Sequence, residues 1–188
     1  GTSNKDHIPE HFIKGVLRAK YDLCVNKEGT IRYDMTQLPV THFKPKEINV
    51  PVEKLIELGY KKDVFGAELV NDEQVLELMP QDLILPACSE SPELGADKIL
   101  LKISFFIDDL LKEFYKLDTH YNMKSEKDLP GTLVAVLAPH TSAAVVGRIV
   151  GFSRTQGFFA SPVFHAATRR DCDGDEASVM LLMDVLLN

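Results

Sequence analysis

Four carboxylates fall within six residues near the C-terminal end of the chain: Asp171, Asp173, Asp175 and Glu176, with Cys172 and Gly174 between them. Carboxylates this dense repel one another and raise each other's pKa unless a cation sits among them. A divalent metal is the usual resolution, because hard cations take carboxylate oxygen. Gly174 lets the backbone turn sharply where side chains must converge. On an extended backbone Asp171, Asp173 and Asp175 share one face at period two. Upstream, residues 130–170 contain no Asp or Glu but four arginines, Arg148, Arg154, Arg169 and Arg170. Metal-holding carboxylates beside guanidinium groups that can fork onto phosphate are the equipment of phosphoryl transfer. The plain alternative is a solvated acidic turn beside an ordinary basic strand.

Other motif classes fail on spacing. A calcium-binding EF-hand loop needs Gly at position six and an acid at position twelve; counted from Asp171 these are Glu176 and Leu182. No GxxxxGK[ST] or GxGxxG pattern exists. His140 with Ser142, and His165 with Ser161, lack a nucleophile-elbow context and read as hydrogen-bonded structural residues. Cys24, Cys88 and Cys172 are widely separated, which supports neither a zinc site nor a disulfide framework and fits a reducing interior.

The elements that must position the acidic run come next. The chain has 188 residues with 45% hydrophobic and 26% charged content, enough for one large domain or two small ones around a packed core. No apolar run is long and clean enough to span a membrane. The net charge of −7 argues against a surface that binds nucleic acid all over. It is unevenly placed: residues 1–128 carry 17 basic and 23 acidic groups, residues 129–170 are +4, and residues 171–188 hold five acids and no base. A phosphate-binding surface is therefore expected only in the C-terminal third. Gly1 in place of Met, and an apolar run up to Asn188, lead us to expect a piece of a longer polypeptide.

Taken in order, Pro9 and Glu10 open a helix whose stripe is Phe12, Ile13, Val16 and Leu17. Asn26 to Gly29 reads as a hairpin turn. Residues 35–51, with Pro39, Pro45 and Pro51, read as a connector with one short extended piece. Residues 52–58 form a short helix closed by Gly59. Strands are expected at 74–79 and 83–85, and a loop at 88–95. Residues 97–118 are the longest helix, with Ile99, Ile103, Phe106, Leu110 and Phe114 on the helical period. Pro130 and Gly131 mark a boundary. Beyond it, 132–138 reads as a strand, 143–149 as a small-residue helix starting near Ser142, and 158–161 and 163–166 as strands. Residues 178–187 are strand, helix, or strand then helix.

The run HAATRRDCDGDE at residues 165–176 resembles the active-site loop of polymerases built on double-psi β-barrels, whose aspartate signature has the same D-x-D-G-D ending. The flanks bring the chain closer to the large-subunit family of archaeal family-D DNA polymerases. Those flanks are APHTSA at 138–143, VGRIVGF at 146–152, LPVTHFKPKEI at 38–48 and FIDDLL at 106–111. The resemblance covers nearly the whole chain. It implies an α+β fold: an N-terminal α+β region, residues 1–129, followed by part or all of a double-psi β-barrel, residues 130–188. It implies DNA-directed DNA polymerase activity by two-metal nucleotidyl transfer in archaeal replication, with Mg²⁺ that Mn²⁺ can replace. Asp173 and Asp175 match the essential catalytic and metal-binding pair. Asp171, often Asn in the family, is a third metal ligand. Arg148, Arg169, Arg170 and His165 are candidates for DNA or nucleotide contacts. Implied partners are primer-template DNA, a dNTP, the small exonuclease subunit and a sliding clamp, in a cytoplasmic, nucleoid-associated setting. The second barrel and the zinc modules of such polymerases are absent from these residues, so the chain alone is expected to be inactive. Two competing readings remain open: a scaffolding or subunit-docking module with a metal-stabilised turn, and an RNA-polymerase-like nucleotidyltransferase on the same barrel.

Overall fold

The computed structural model describes residues 12–23, 33–87, 95–137, 143–154, 157–168 and 176–187, with backbone only at 33–37 and 176. The elements are α1 (Phe12–Lys20), β1 (Tyr33–Pro39), β2 (His42–Phe43), α2 (Val52–Glu57), β3 (Leu76–Glu77), β4 (Asp82–Pro86) and α3 (Ala96–Glu113). After these come β5 (Leu133–Leu137), β6 (Val145–Ser153), β7 (Gly157–Ala160), α4 (Pro162–Ala167), β8 (Glu176–Leu181) and α5 (Leu182–Leu186). Six strands close into a barrel in the order β1-β7-β4-β6-β5-β8, with β8 returning to β1. Two neighbouring pairs are parallel, β1 with β7 and β4 with β6; the others are antiparallel. Closure leaves no barrel strand with an unpaired edge. β2 and β3 form a separate two-stranded sheet.

Two cores follow from the alternation of side chains across these strands. One fills the barrel and continues onto the helices: Leu83, Leu85, Val134, Val136, Ile149, Phe158, Val179 and Leu181 meet Leu100, Ile103, Phe106 and Leu110 of α3 and Leu17 of α1. The other lies outside the barrel wall, where Ile84 and Val150 pack against Phe43, Ile48, Val50, Leu55, Tyr60 and Leu76. Residues 40–80 thus form a cap on the outer face of β4 and β6. A bulge between Leu83 and Ile84 makes this possible: Leu83 faces Ile149 but Ile84 faces Gly151, so Val150 is the extra residue. Val150 and Gly151 can then both turn towards the cap. Gly151 is required there, because a Cβ would lie 2.8 Å from Ile48 Cδ1 and 2.9 Å from Val50 Cγ2.

Several expectations are corrected. The expected separation at residue 130 is not seen in the sheet: β1 and β4 come from before it, and each pairs on both sides with strands from after it. Residues 1–129 are therefore not a separate region preceding a barrel; they supply two of its six strands. The expected helix over 143–149 is strand β6, whose β-branched residues pair with β5 and β4 and whose two glycines disfavour a helix. The expected strand over 163–166 is helix α4, because Pro162 sits at its first turn and Ser161 caps it. The connector over 35–51 contains most of β1 and all of β2. The long helix and the strand-then-helix option for 178–187 match α3, β8 and α5. Asn26 to Gly29 and all three cysteines lie outside the described residues.

Candidate nucleotidyl-transfer site

Asp171, Asp173, Asp175, Arg169 and Arg170 lie outside the described residues. What the structure gives is the platform on either side of them. Leu137, at the end of β5, lies opposite Ser178, near the start of β8, and Val145, the start of β6, lies opposite Val136. The exit of β5 and the starts of β6 and β8 therefore share one end of the barrel. β8 is held there from both sides, with Glu176 opposite Thr36 of β1 and Ser178 opposite Leu137 of β5.

The lead-in is α4, and each of its turns is tied down. Ser161 Oγ accepts from the Phe164 amide at 3.2 Å, which satisfies one of the open donors of the first turn, and lies 3.4 Å from the Pro80 carbonyl. Phe164 enters the barrel core, against Gly147, where a Cβ would lie 3.1 Å from its ring. Thr168 Oγ1 donates to the His165 carbonyl at 2.8 Å.

His165 is fully buried. Its Nε2 lies 2.9 Å from the Leu38 carbonyl of β1, and its ring is 5.9 Å from Phe158. That geometry makes Nε2 the protonated nitrogen, donating to the carbonyl. Among the described residues Nδ1 has no partner of hydrogen-bonding geometry. Burial lowers the imidazole pKa below 6.5, opposed by the Leu38 and Ala160 carbonyls. The ring is thus a neutral tie between α4 and β1, turned away from solvent, and the expected nucleotide contact has no support in its placement.

Arg148 projects from β6 to the cap side. Its Nε donates to Asp82 Oδ1 and its Nη2 to Asp82 Oδ2, both at 2.8 Å. Asp82 is fully buried and the Arg148 side chain is 19% exposed. The Tyr60 hydroxyl donates to the same carboxylate and accepts from the Met79 amide at 3.0 Å. Burial, then the Asp82 charge, push the Tyr60 hydroxyl far above its ordinary range, so it stays protonated. Hydrogen bonding to Asp82 raises the Arg148 value further. The fork that would grip a phosphate already grips Asp82, and Arg148 is placed as a strut between β6 and β4, on a carboxylate that also takes the hydroxyl of Tyr60 from the cap.

Asp82 and Tyr60 are the members that sequence reading missed. Asp82 reads locally as a turn residue after Pro80 and Gln81. The only signal was its position directly before the apolar run Leu83, Ile84 and Leu85. Among the described residues, no three His, Cys, Asp or Glu side chains gather as a metal site, and no helix is long and apolar enough to cross a membrane.

Comparison with known proteins accounts for the whole chain. The family model described as "DNA polymerase II large subunit DP2, catalytic domain" matches residues 1–188. A DNA polymerase II large subunit of Archaeoglobus fulgidus is 56% identical over 188 residues, covering all of this chain and 16% of the relative. The Pyrococcus furiosus protein of the same name is 55% identical over 181 residues, 96% of this chain and 14% of the relative. The Nanoarchaeum equitans protein is 50% identical over 198 residues, again covering all of this chain and 16% of the relative. The chain spans about a sixth of the length of these relatives. A match of this extent, running through the acidic run and both of its flanks, means that the chain belongs to the family of DNA polymerase II large subunit catalytic domains.

Proposed function

We propose that this chain is the part of a family-D DNA polymerase large subunit that carries the catalytic aspartates, and that it serves DNA-directed nucleotidyl transfer of the two-metal class. One observation carries the reading: the family match spans residues 165–176, with Asp171, Asp173 and Asp175 at alternate positions. The donor set suits hard divalent cations, since it is all carboxylate oxygen. Asp173 and Asp175 would hold Mg²⁺, with Asp171 as a third ligand. Bound there, the ions supply Lewis-acid polarisation and lower the pKa of a hydroxyl nucleophile.

The chain's own residues have distinct tasks in this reading. Asp173 and Asp175 concentrate negative charge where the cations are needed. Arg169 and Arg170 contact phosphate of primer, template or dNTP. α4 and β8 fix the two ends of the acidic run through Ser161, His165 and the strand pairing of Glu176 and Ser178. Such anchoring holds ligands to the tolerance that catalysis needs. The wider assembly, with the small exonuclease subunit and a sliding clamp in an archaeal nucleoid, is part of the same proposal.

The barrel topology supports a double-psi reading. Exchanging β1 with β6, β4 with β7 and β5 with β8 maps the ring of strands onto itself, with every parallel and antiparallel pairing preserved. The chain thus runs through two interlocked halves of equal topology.

The test is single-turnover incorporation by the two-subunit polymerase with Asp173→Asn or Asp175→Asn. Each variant is expected to lose about 10³-fold or more in rate, with melting temperature and DNA affinity nearly unchanged. Near-normal rates would refute the assignment. The 188-residue chain alone is expected to give no primer extension under the same conditions.

A further inference from the structure

The cap carries a feature that the polymerase reading does not use. Phe65 is 88% exposed and Val70 72% exposed, with Val64 beside them also exposed. Their loop is built, not loose. Asp63 Oδ1 accepts from the amides of Phe65 at 2.9 Å and Ala67 at 3.0 Å. Gln74 Nε2 donates to Asp63 Oδ2 and to the Glu68 carbonyl, both at 2.9 Å, while its Oε1 accepts from Val70 at 2.7 Å and Asn71 at 3.0 Å. The Val64 amide donates to the Val75 carbonyl, Lys62 bridges Glu68, and Gly66 takes a φ of +85° that its neighbours could not share. A side chain as apolar as Phe, set in water on a hydrogen-bonded scaffold, has a cost in solvation and, among the described residues, little burial to offset it.

We propose that Phe65, with Val64 and Val70, is a preformed knob that docks into an apolar socket, rimmed by Lys or Arg, on another part of the large-subunit polypeptide. It rests on the family membership and not on the catalytic reading. Two observations select this occupant. Residues 61–77 hold Asp63, Glu68, Asp72, Glu73 and Glu77 against Lys61 and Lys62, with Lys44 and Lys46 ion-paired to Glu73, so the knob's own segment carries an acidic excess that disfavours DNA phosphate and complements a basic rim. In the relatives this unit is about a sixth of one polypeptide, so most of the surface within reach belongs to the same chain. An exposed aromatic on a prepaid scaffold loses little conformational freedom on docking, which is how interface anchors act.

The test uses the full-length large subunit that carries this chain, assembled with its small subunit. A photo-crosslinking phenylalanine analogue at position 65 is expected to attach to an apolar, Lys- or Arg-flanked peptide of the same large subunit, with and without primer-template DNA. Phe65→Glu is expected to lower the melting midpoint of the large subunit and to raise amide exchange over residues 63–71, and Gln74→Ala to do the same more weakly. Crosslinks to the small subunit or to DNA would overturn the proposal. So would the absence of any crosslink together with unchanged exchange. Failure of the aspartate variants to lose activity would leave this result untouched, so the two readings fail separately.

Discussion

Removing the guanidinium of Arg148 isolates a buried charge, and the structure sets the size of the effect. Arg148→Met keeps the length of the side chain but strips Asp82 of both charged hydrogen bonds, leaving the Tyr60 hydroxyl as the side-chain donor on that carboxylate. Asp82 is fully buried, so water does not replace what is lost. Breaking a buried pair in this way costs about 3–5 kcal/mol. Asp82→Asn is milder, because Arg148 is partly exposed and water reaches it; about 1.5–3 kcal/mol is expected for the lost charged hydrogen bonds. The double variant Asp82→Leu/Arg148→Met removes both charges and fills the space with apolar atoms. It leaves only the Tyr60 hydroxyl short of an acceptor, so it should lie within about 1–2 kcal/mol of wild type. Urea unfolding of wild type, Arg148→Met, Asp82→Leu and the double variant, with midpoints and slopes fitted separately, closes the cycle and gives the coupling energy directly, with Asp82→Asn measured beside them. Additive single effects, or a loss below about 1 kcal/mol for Arg148→Met, would refute the strut and reopen Arg148 as a phosphate ligand.

Other outcomes follow from the same geometry. Burial holds the His165 pKa below 6.5, so the unfolded chain takes up the proton first; wild type should lose up to about 1.4 kcal/mol per pH unit as pH falls from 6.5 towards the folded value, and His165→Gln should lose less. Chemical unfolding at pH 7.5, 6.5, 5.5 and 5.0 compares the two, and parallel curves would contradict the buried neutral ring. Gly151→Ala should destabilise by about 1–3 kcal/mol, since the new methyl meets Ile48 and Val50 at contacts no side chain tolerates; an unchanged urea midpoint would count against the cap packing. In the assembled polymerase Asp171→Asn should reduce single-turnover incorporation less than Asp173→Asn does, since an amide oxygen still coordinates metal; an equal loss would make Asp171 a full ligand.

What could be read from the sequence was what is local. The carboxylates at 171–176 declare their chemistry because like charges at close spacing need a partner wherever the chain puts them. Helix α3 is legible because its apolar residues repeat at the helical period over eighteen positions. β6 was not, because Val145, Val146, Ile149 and Val150 satisfy a helical stripe as well as a strand, and what decides is pairing with β4 and β5 from elsewhere in the chain. The bulge at Val150 breaks the alternation that would have identified the strand. The membership of β1 and β4 in the barrel was hidden for the same reason, as their partners lie far downstream. Asp82 and Arg148 are 66 residues apart, and no spacing rule links them. Barrel and polymerase alike entered through the resemblance of quoted motifs, since composition and periodicity reached only metal-assisted phosphoryl chemistry.

The ring order also sets a clock on synthesis. Thr36 of β1 pairs with Gly157 on one side and Glu176 on the other, and β4 sits between β6 and β7. At about 5–20 residues per second, roughly 6–24 s separate the emergence of β1 from that of its first partner strand. For that interval β1 waits with both edges open, β4 waits the shorter stretch until β6, and the entropy of closing a loop of more than a hundred residues must be met before β1 gains any partner. The nascent chain is therefore most exposed to aggregation and chaperone capture while the acidic run is still unmade, and its carboxylates are among the last residues added before the barrel can shut.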